Sequence, residues 1–217
     1  MIIPAIMEKT LAELQERIRQ VEVFVNRVQI DVADGQFVPE TTFNDPDQLG
    51  DLISDLDYDI HLMVQDPEIA AIRWVKPSVK RILIQFEVCQ GGKVCQDLRE
   101  SISMVHDYRV EVGVVLNLQT PVAAVRELLP TVDLVQLMAI EPGAQGRPLD
   151  RRVFDRIREL RAMNPSIPIA VDGGITAENI QEIKSAGATI FCVGSAIFQA
   201  PNPGKTIEQL KKLTSNS

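Results

Sequence analysis

Short apolar runs alternate with longer amphipathic ones from one end of the chain to the other. The strand-like runs lie near 2–7, 27–33, 58–64, 80–87, 110–116, 133–140, 167–172 and 189–193. Helix-like stretches follow each of them, near 8–24, 46–55, 67–76, 93–107, 121–129, 150–163, 176–186 and 203–213. Leu11, Leu14, Ile18 and Val21 recur at helical spacing, and so do Val153, Ile157 and Leu160. Eight β-then-α units in 217 residues predict an α/β fold, a (β/α)8 TIM barrel, with 1–217 as a single domain. A doubly wound open sheet is the alternative, but no G-x-G-x-x-G follows the first strand. The tail, 213–217, is expected to fray.

A barrel of this kind carries its active site at the C-terminal ends of the strands. Side chains alternate along a strand, so residues two apart share a face. In the second strand Val28, Ile30 and Val32 suit the helix-facing side, which turns Gln29, Asp31 and Ala33 inward. The same register turns His61 and Met63 inward from the third strand, Gln85 and Glu87 from the fourth, Gln136 and Met138 from the sixth, and Asp172 from the seventh. Polar side chains are costly to bury without partners. Their convergence from several strands is the main functional signal of the sequence.

Composition narrows the choice. Hydrophobic residues make up 45% of the chain, enough for a sizeable core, and the net charge of -8 argues against a nucleic-acid surface. An acidic protein that binds an anion has to do so locally, with backbone N–H groups and helix ends. The apolar opening 1–7 is too short for a membrane span and lacks the charged flank of a signal peptide, so it reads as a first buried strand. Cys89, Cys95 and Cys192 have no metal-ligand spacing and read as unpaired thiols, which fits a reducing cytoplasm.

Three glycine-bearing loops follow late strands. They are Glu141-Pro142-Gly143-Ala144-Gln145-Gly146, Asp172-Gly173-Gly174-Ile175-Thr176 and Gly194-Ser195-Ala196-Ile197. Glycine lets the backbone come close to an anion and aim N–H groups at it, and barrels commonly hold phosphate after the seventh and eighth strands. Taken singly each loop is equally a tight βα turn. Asp31 and Asp172, from separate strands, suit an acid/base pair or two turn-capping carboxylates. His61 is one of two histidines and suits a metal ligand, a catalyst or a satisfied core residue. His106 reads as a surface residue at a helix end, Trp74 as packing, and Phe37 as a residue packed under the barrel rim.

Several segments, in order and across nearly the whole chain, resemble the ribulose-phosphate 3-epimerase family. They are Ile30-Asp31-Val32-Ala33-Asp34-Gly35-x-Phe37-Val38-Pro39, His61-Leu62-Met63-Val64-x-x-Pro67-Glu68, Glu141-Pro142-Gly143, Val171-Asp172-Gly173-Gly174-Ile175 and Gly194-Ser195-Ala196-Ile197-Phe198. The resemblance implies a ribulose-phosphate-binding barrel that inverts carbon 3 through an enediolate. It implies that Asp31 and Asp172 are the acid/base pair, and that both join His61 as ligands of a divalent metal (zinc, manganese or iron). It also implies a phosphate site at Gly173, Gly174, Gly194 and Ser195, with Gly143 and Gly146 in a mobile rim and Met63 and Met138 beside the substrate.

The departures gather around the sugar end. The family's metal His two residues before Asp31 is Gln29, a Ser is Ala5, a Met is Ala33, and a His in the fourth strand is Gln85. The rim loop, Gly-Phe-Gly-Gly-Gln in the family, reads Gly143-Ala144-Gln145-Gly146-Arg147. With Gln29 in place of an imidazole, the metal is expected to be weakly bound or absent. The leading expectation is a ketose-phosphate 3-epimerase with a small sugar phosphate as its partner, no nucleic acid or membrane partner, and homo-oligomerisation left open. The alternative is a non-catalytic phosphosugar-binding barrel. Aldol or decarboxylase chemistry of related barrels comes third, because the Asp-x-Lys-x-x-Asp pattern is missing.

Overall fold

The computed structural model describes residues 1–89, 94–143 and 145–215, with the side chains of 89 and 94–97 left aside. Ala144, the end of the tail and the thiols of Cys89 and Cys95 therefore lie outside the described residues. Eight parallel strands close in sequence order: β1 (Ile2–Ile6), β2 (Arg27–Ala33), β3 (Asp57–Met63), β4 (Val79–Gln85), β5 (Glu111–Leu116), β6 (Leu134–Met138), β7 (Ile169–Asp172) and β8 (Ile190–Val193). The expected barrel is present. Its longer helices are α1 (Leu11–Val21), α2 (Pro67–Arg73), α3 (Val94–Asp107), α4 (Arg152–Met163), α5 (Ile180–Ala186) and, after a short α6 (Ser195–Phe198), α7 (Pro203–Thr214). Among the described residues no helix is long and apolar enough to cross a membrane.

Local chemistry accounts for the elements. Thr10 and Glu13 form a reciprocal capping box that starts α1, whose Leu14, Ile18 and Val21 face the barrel. Three expected helices are shorter than the apolar pattern suggests. The stretch 46–55 is only a 3-10 turn, Pro46–Asp51, started by Asp45 and Pro46 and capped at Leu52; it still buries Leu49. The stretch 121–129 gives a 3-10 turn, Val122–Val125, between Pro121 and Pro130. In the last, Asn179 accepts the N–H of Thr176 and donates to the Gly174 carbonyl, so the chain builds a loop and delays α5 to Ile180. Glu87 also departs from its expected inward place. β4 ends at Gln85, and Glu87 lies in a 3-10 turn, Phe86–Cys89, where it accepts the Asn117 N–H at 2.8 Å and the Thr120 hydroxyl.

Inside the barrel, an apolar set of Ile3, Ala5, Leu83, Val115, Leu134, Met138, Ala170, Ile190 and Cys192 fills the bore. Towards the N-terminal ends, β2 to β5 add an ion-pair layer. Arg81 donates to Asp59 at 2.8 Å and to Glu111 at 2.6 Å, while Arg27 reaches Asp59 at 3.3 Å. Burial pushes the Asp59 carboxyl up to about 6 although Arg81 and Arg27 pull it down. Folded Asp59 thus keeps its proton to higher pH than the unfolded chain, and stability from this group is lost as pH rises from about 4 through 6. Urea unfolding of wild type and Asp59→Asn should show this directly. The stability of wild type relative to the variant should fall by up to about 3 kcal/mol between roughly pH 4 and pH 7. A constant difference would mean that the pair holds Asp59 ionised throughout.

Candidate active site

The C-terminal mouth of the barrel gathers the polar residues expected there. Register pairs Asp31 with His61 across β2 and β3, and Met138 with Asp172 across β6 and β7. The Thr42 hydroxyl, following β2, donates to the Asp31 carbonyl and accepts the Ala33 N–H, both at 2.8 Å, which holds the end of that strand. Asp34 takes the backbone N–H groups of Gln36, Phe37 and Gln65 and so ties the loop after β2 to the loop after β3. Phe37 packs on Ala33, Val38 and Met63 under the rim. Trp74 is buried edge-on to Phe43. His106 bonds Asp133 at the helix end, partly exposed.

At the floor of the mouth the side chains form one connected cluster. The Gln29 amide nitrogen donates to Asp31 Oδ1 at 2.8 Å and to Asp172 Oδ2 at 2.7 Å. His61 Nδ1 lies 2.9 Å from the same Asp31 oxygen, and Gln85 Nε2 lies 2.9 Å from His61 Nε2. On the far side Gln136 donates to Asp172 Oδ2 at 3.1 Å and accepts weakly from the Cys192 thiol. Burial pushes the Asp172 carboxyl well up, and the adjacent Asp31 charge adds to the effect. Burial opposes a charged His61 ring, yet the Asp31 hydrogen bond and nearby carboxylates outweigh it and raise the ring's pKa. The Cys192 thiol is pushed up by burial and by Asp172, so it stays a neutral donor.

Asp31, His61 and Asp172 are a possible metal site, with ligand atoms all within 4.8 Å of one another. As placed, the ligand atoms that face one another are already hydrogen-bonded within the protein. The Gln29 hydrogens occupy the facing carboxylate oxygens, and His61 Nδ1 is engaged with Asp31. An ion would have to displace these contacts.

Above the cluster lies a narrow cleft open to solvent. Asp31, His61, Met63, Met138, Gly143, Gly146, Asp172, Gly173, Gly174, Gly194 and Ser195 all line it, whereas the inward glutamines Gln29, Gln85 and Gln136 do not reach its wall. Gln29 lies beneath, fully buried. Gly173 and Gly174 adopt φ of 107° and 65°, where a side chain would also collide with Ile140 and with Leu149. Sequence reading missed Gln145, which lines the cleft near Gly194, and Asn179, which braces the Gly173-Gly174 turn. Asn179 was legible only as a helix-cap type; Gln145 had no local signal.

The model of the ribulose-phosphate 3-epimerase family matches residues 1–198. The chloroplastic ribulose-5-phosphate-3-epimerase of Arabidopsis thaliana is 32% identical, over 96% of this chain and 75% of its own. The ribulose-phosphate 3-epimerase of Bacillus subtilis is 30% identical over 97% of both. Among solved structures, 3-hexulose-6-phosphate synthase from Salmonella typhimurium superposes with a TM-score of 0.71 at 17% identity, covering 98% of this chain and 97% of that one. Orotidine 5'-phosphate decarboxylase from Pyrococcus horikoshii gives 0.67 at 14% identity, with both chains fully covered. At these identities the two structures speak for the fold alone. The family match and the curated relatives go further: this chain belongs to the ribulose-phosphate 3-epimerase family.

Proposed function

We propose that the protein is an isomerase that inverts carbon 3 of a ketose phosphate by passing a proton between Asp31 and Asp172 through an enediolate. The observation that carries this reading is the placement of two carboxylates from β2 and β7 in one cleft floor, joined by a single amide. Inversion needs one group to remove a proton from one face of the carbon and another to supply one from the opposite face. Two acids from opposite sides of one cleft suit that task. Burial and the adjacent Asp31 charge push the Asp172 carboxyl up, which suits it to take up and return a proton, with Asp31 as its counterpart. Relatives named as ribulose-phosphate 3-epimerases support the reaction class.

The phosphate group is assigned to Gly173, Gly174, Gly194 and Ser195, with Gly143 and Gly146 closing over it and Met63 and Met138 against the carbon chain. A divalent ion, whether zinc, manganese or iron, is weakly held at most. Bound there it would stabilise charge on the enediolate oxygens; otherwise N–H donors of the cluster carry that task. A neutral donor of this kind supplies about 3 kcal/mol, where an ion supplies several. Slow turnover is the expected consequence. The binding-only alternative draws on the same feature, Gln29 among the carboxylates.

Ribulose 5-phosphate incubated in heavy water with the protein should gain deuterium at carbon 3 as it inverts. Asp31→Asn and Asp172→Asn should each lower inversion by roughly 100-fold or more, since an amide cannot shuttle the proton. A folded protein that binds ketose phosphates yet gives neither exchange nor inversion would make the binding-only reading the right one.

Phosphate recognition has a separate check. A pentulose phosphate at about 100 times its Kd stabilises the folded state by roughly 2.7 kcal/mol, which for a chain of this size is a Tm rise of about 5–10 °C. Gly194→Asp puts a carboxylate beside the Ala5 carbonyl and Gln145, at the mouth of the assigned phosphate site, and should abolish the rise. Equal shifts in both proteins would place the phosphate elsewhere.

A further inference from the structure

Two glutamines occupy the heart of the cluster, Gln29 and Gln85, both fully buried. Each presents its nitrogen to the cluster and leaves its oxygen, Gln29 Oε1 and Gln85 Oε1, without a hydrogen-bond partner. An amide nitrogen has two hydrogens to give and no lone pair to offer a cation. At Gln29 both hydrogens are committed, one to Asp31 Oδ1 and one to Asp172 Oδ2. Turning this amide over would set its oxygen against two carboxylates. The unpartnered oxygen is therefore the lesser cost, and the orientation follows from the carboxylates.

Gln85 acts one step further out. Its nitrogen lies 2.9 Å from His61 Nε2; in this orientation the amide donates, which calls for the lone pair of the neutral ring on Nε2. The ring proton then sits on Nδ1, which is 2.9 Å from Asp31 Oδ1, a group that accepts. A ring fixed this way shows the carboxylates a hydrogen where a metal would need a lone pair. Asp31 Oδ1 receives hydrogens from both Gln29 and His61, and Asp172 Oδ2 from both Gln29 and Gln136. The two facing carboxylate oxygens, Asp31 Oδ1 and Asp172 Oδ2, thus each have two protein donors.

We propose that Gln29 and Gln85 act as a pair that replaces a bound cation with protein hydrogens, Gln29 by bridging the two carboxylates and Gln85 as a positioning residue that sets the tautomer of His61. The proposal takes Asp31 and Asp172 as the acid/base pair of the reading above, but what it asserts is the ion-free state of the cluster and the form of the ring. A chain that lost turnover and kept both would count against that reading and leave this one intact.

The test reads nitrogen and metal directly. The sequence holds two histidines, so a 15N-histidine spectrum contains His61 and the partly exposed His106 alone. In buffer alkaline enough to keep the rings neutral, His61 should show a protonated Nδ1 and a lone-pair Nε2. Wild-type protein purified from zinc- and manganese-supplemented medium should carry well under one ion per chain. Gln85→Glu adds no ligand, but its carboxylate accepts from Nε2–H and turns the Nδ1 lone pair towards Asp31 and Asp172. Outer partners of metal-bound histidines tune affinity by about 10–100-fold, and a gain of that size in Zn2+ affinity is expected, with the ring proton moved to Nε2. Gln29→His should then raise affinity more in the Gln85→Glu background than alone. Should the buried glutamate prevent folding, Gln85→Leu removes the donor without adding charge; Asp31 still holds the proton on Nδ1, and the Nε2 resonance should shift as it loses its hydrogen bond. A stoichiometric ion in the wild type, a wild-type ring protonated on Nε2, or a His61 spectrum indifferent to position 85 would each overturn the proposal.

Discussion

Closure of eight parallel strands into a barrel is the constraint on which everything else rests. Each strand must send every second side chain into a bore with no solvent to receive it, and each neighbour's register decides what that side chain meets. Arg27, Gln29 and Asp31 follow one another inward along β2, and each finds its partners on other strands: Asp59 on β3, the Asp31–Asp172 pair, and His61. The result is two polar layers that follow directly on one another along β2 and β3, with Leu83 between them on β4. The lower one consists of full charges paired with full charges. The upper one is linked by amides, with more acceptors than cations, and it opens into the cleft.

That division suits a protein that must be rigid at one end and reactive at the other. The Arg81–Asp59 and Arg81–Glu111 pairs sit far from the loops and contribute to holding β3, β4 and β5 in place. At the mouth, rigidity comes from smaller devices: the Thr42 hydroxyl on β2, the Asp34 carboxylate spanning two loops, and Asn179 under the Gly173-Gly174 turn. None of these three need touch a ligand. They set where Asp31 and the glycines stand.

The barrel was legible because eight short apolar runs alternate with amphipathic ones, and the inward register of Asp31, His61, Gln85 and Asp172 could be read by counting in twos along their strands. The helical stretches were less legible where polar side chains competed for backbone groups. Asn179 takes the N–H that would have opened a longer helix, and Pro121 and Pro130 confine their segment to a tight turn. Glu87 was misplaced for a related reason: alternation cannot say where a strand stops, and β4 stops two residues before it. Gln29 could be seen to differ from the family's histidine, but not that its nitrogen would span two carboxylates, because that contact joins residues 143 positions apart in the chain. Side-chain orientation inside a closed bore is settled by the last partner to arrive.

The glutamines at positions 29 and 85 also bear on how such a site could change over generations. Codons for glutamine and histidine share their first two bases and differ only in the third. Each position is a single nucleotide from an imidazole, and neither exchange alters the backbone, the inward register or the overall size of the side chain by much. Because Gln85 contacts His61 and Gln29 contacts both carboxylates, the two exchanges are felt by the same four groups. Two single-base changes therefore separate this amide-linked cluster from one in which imidazoles stand at both positions.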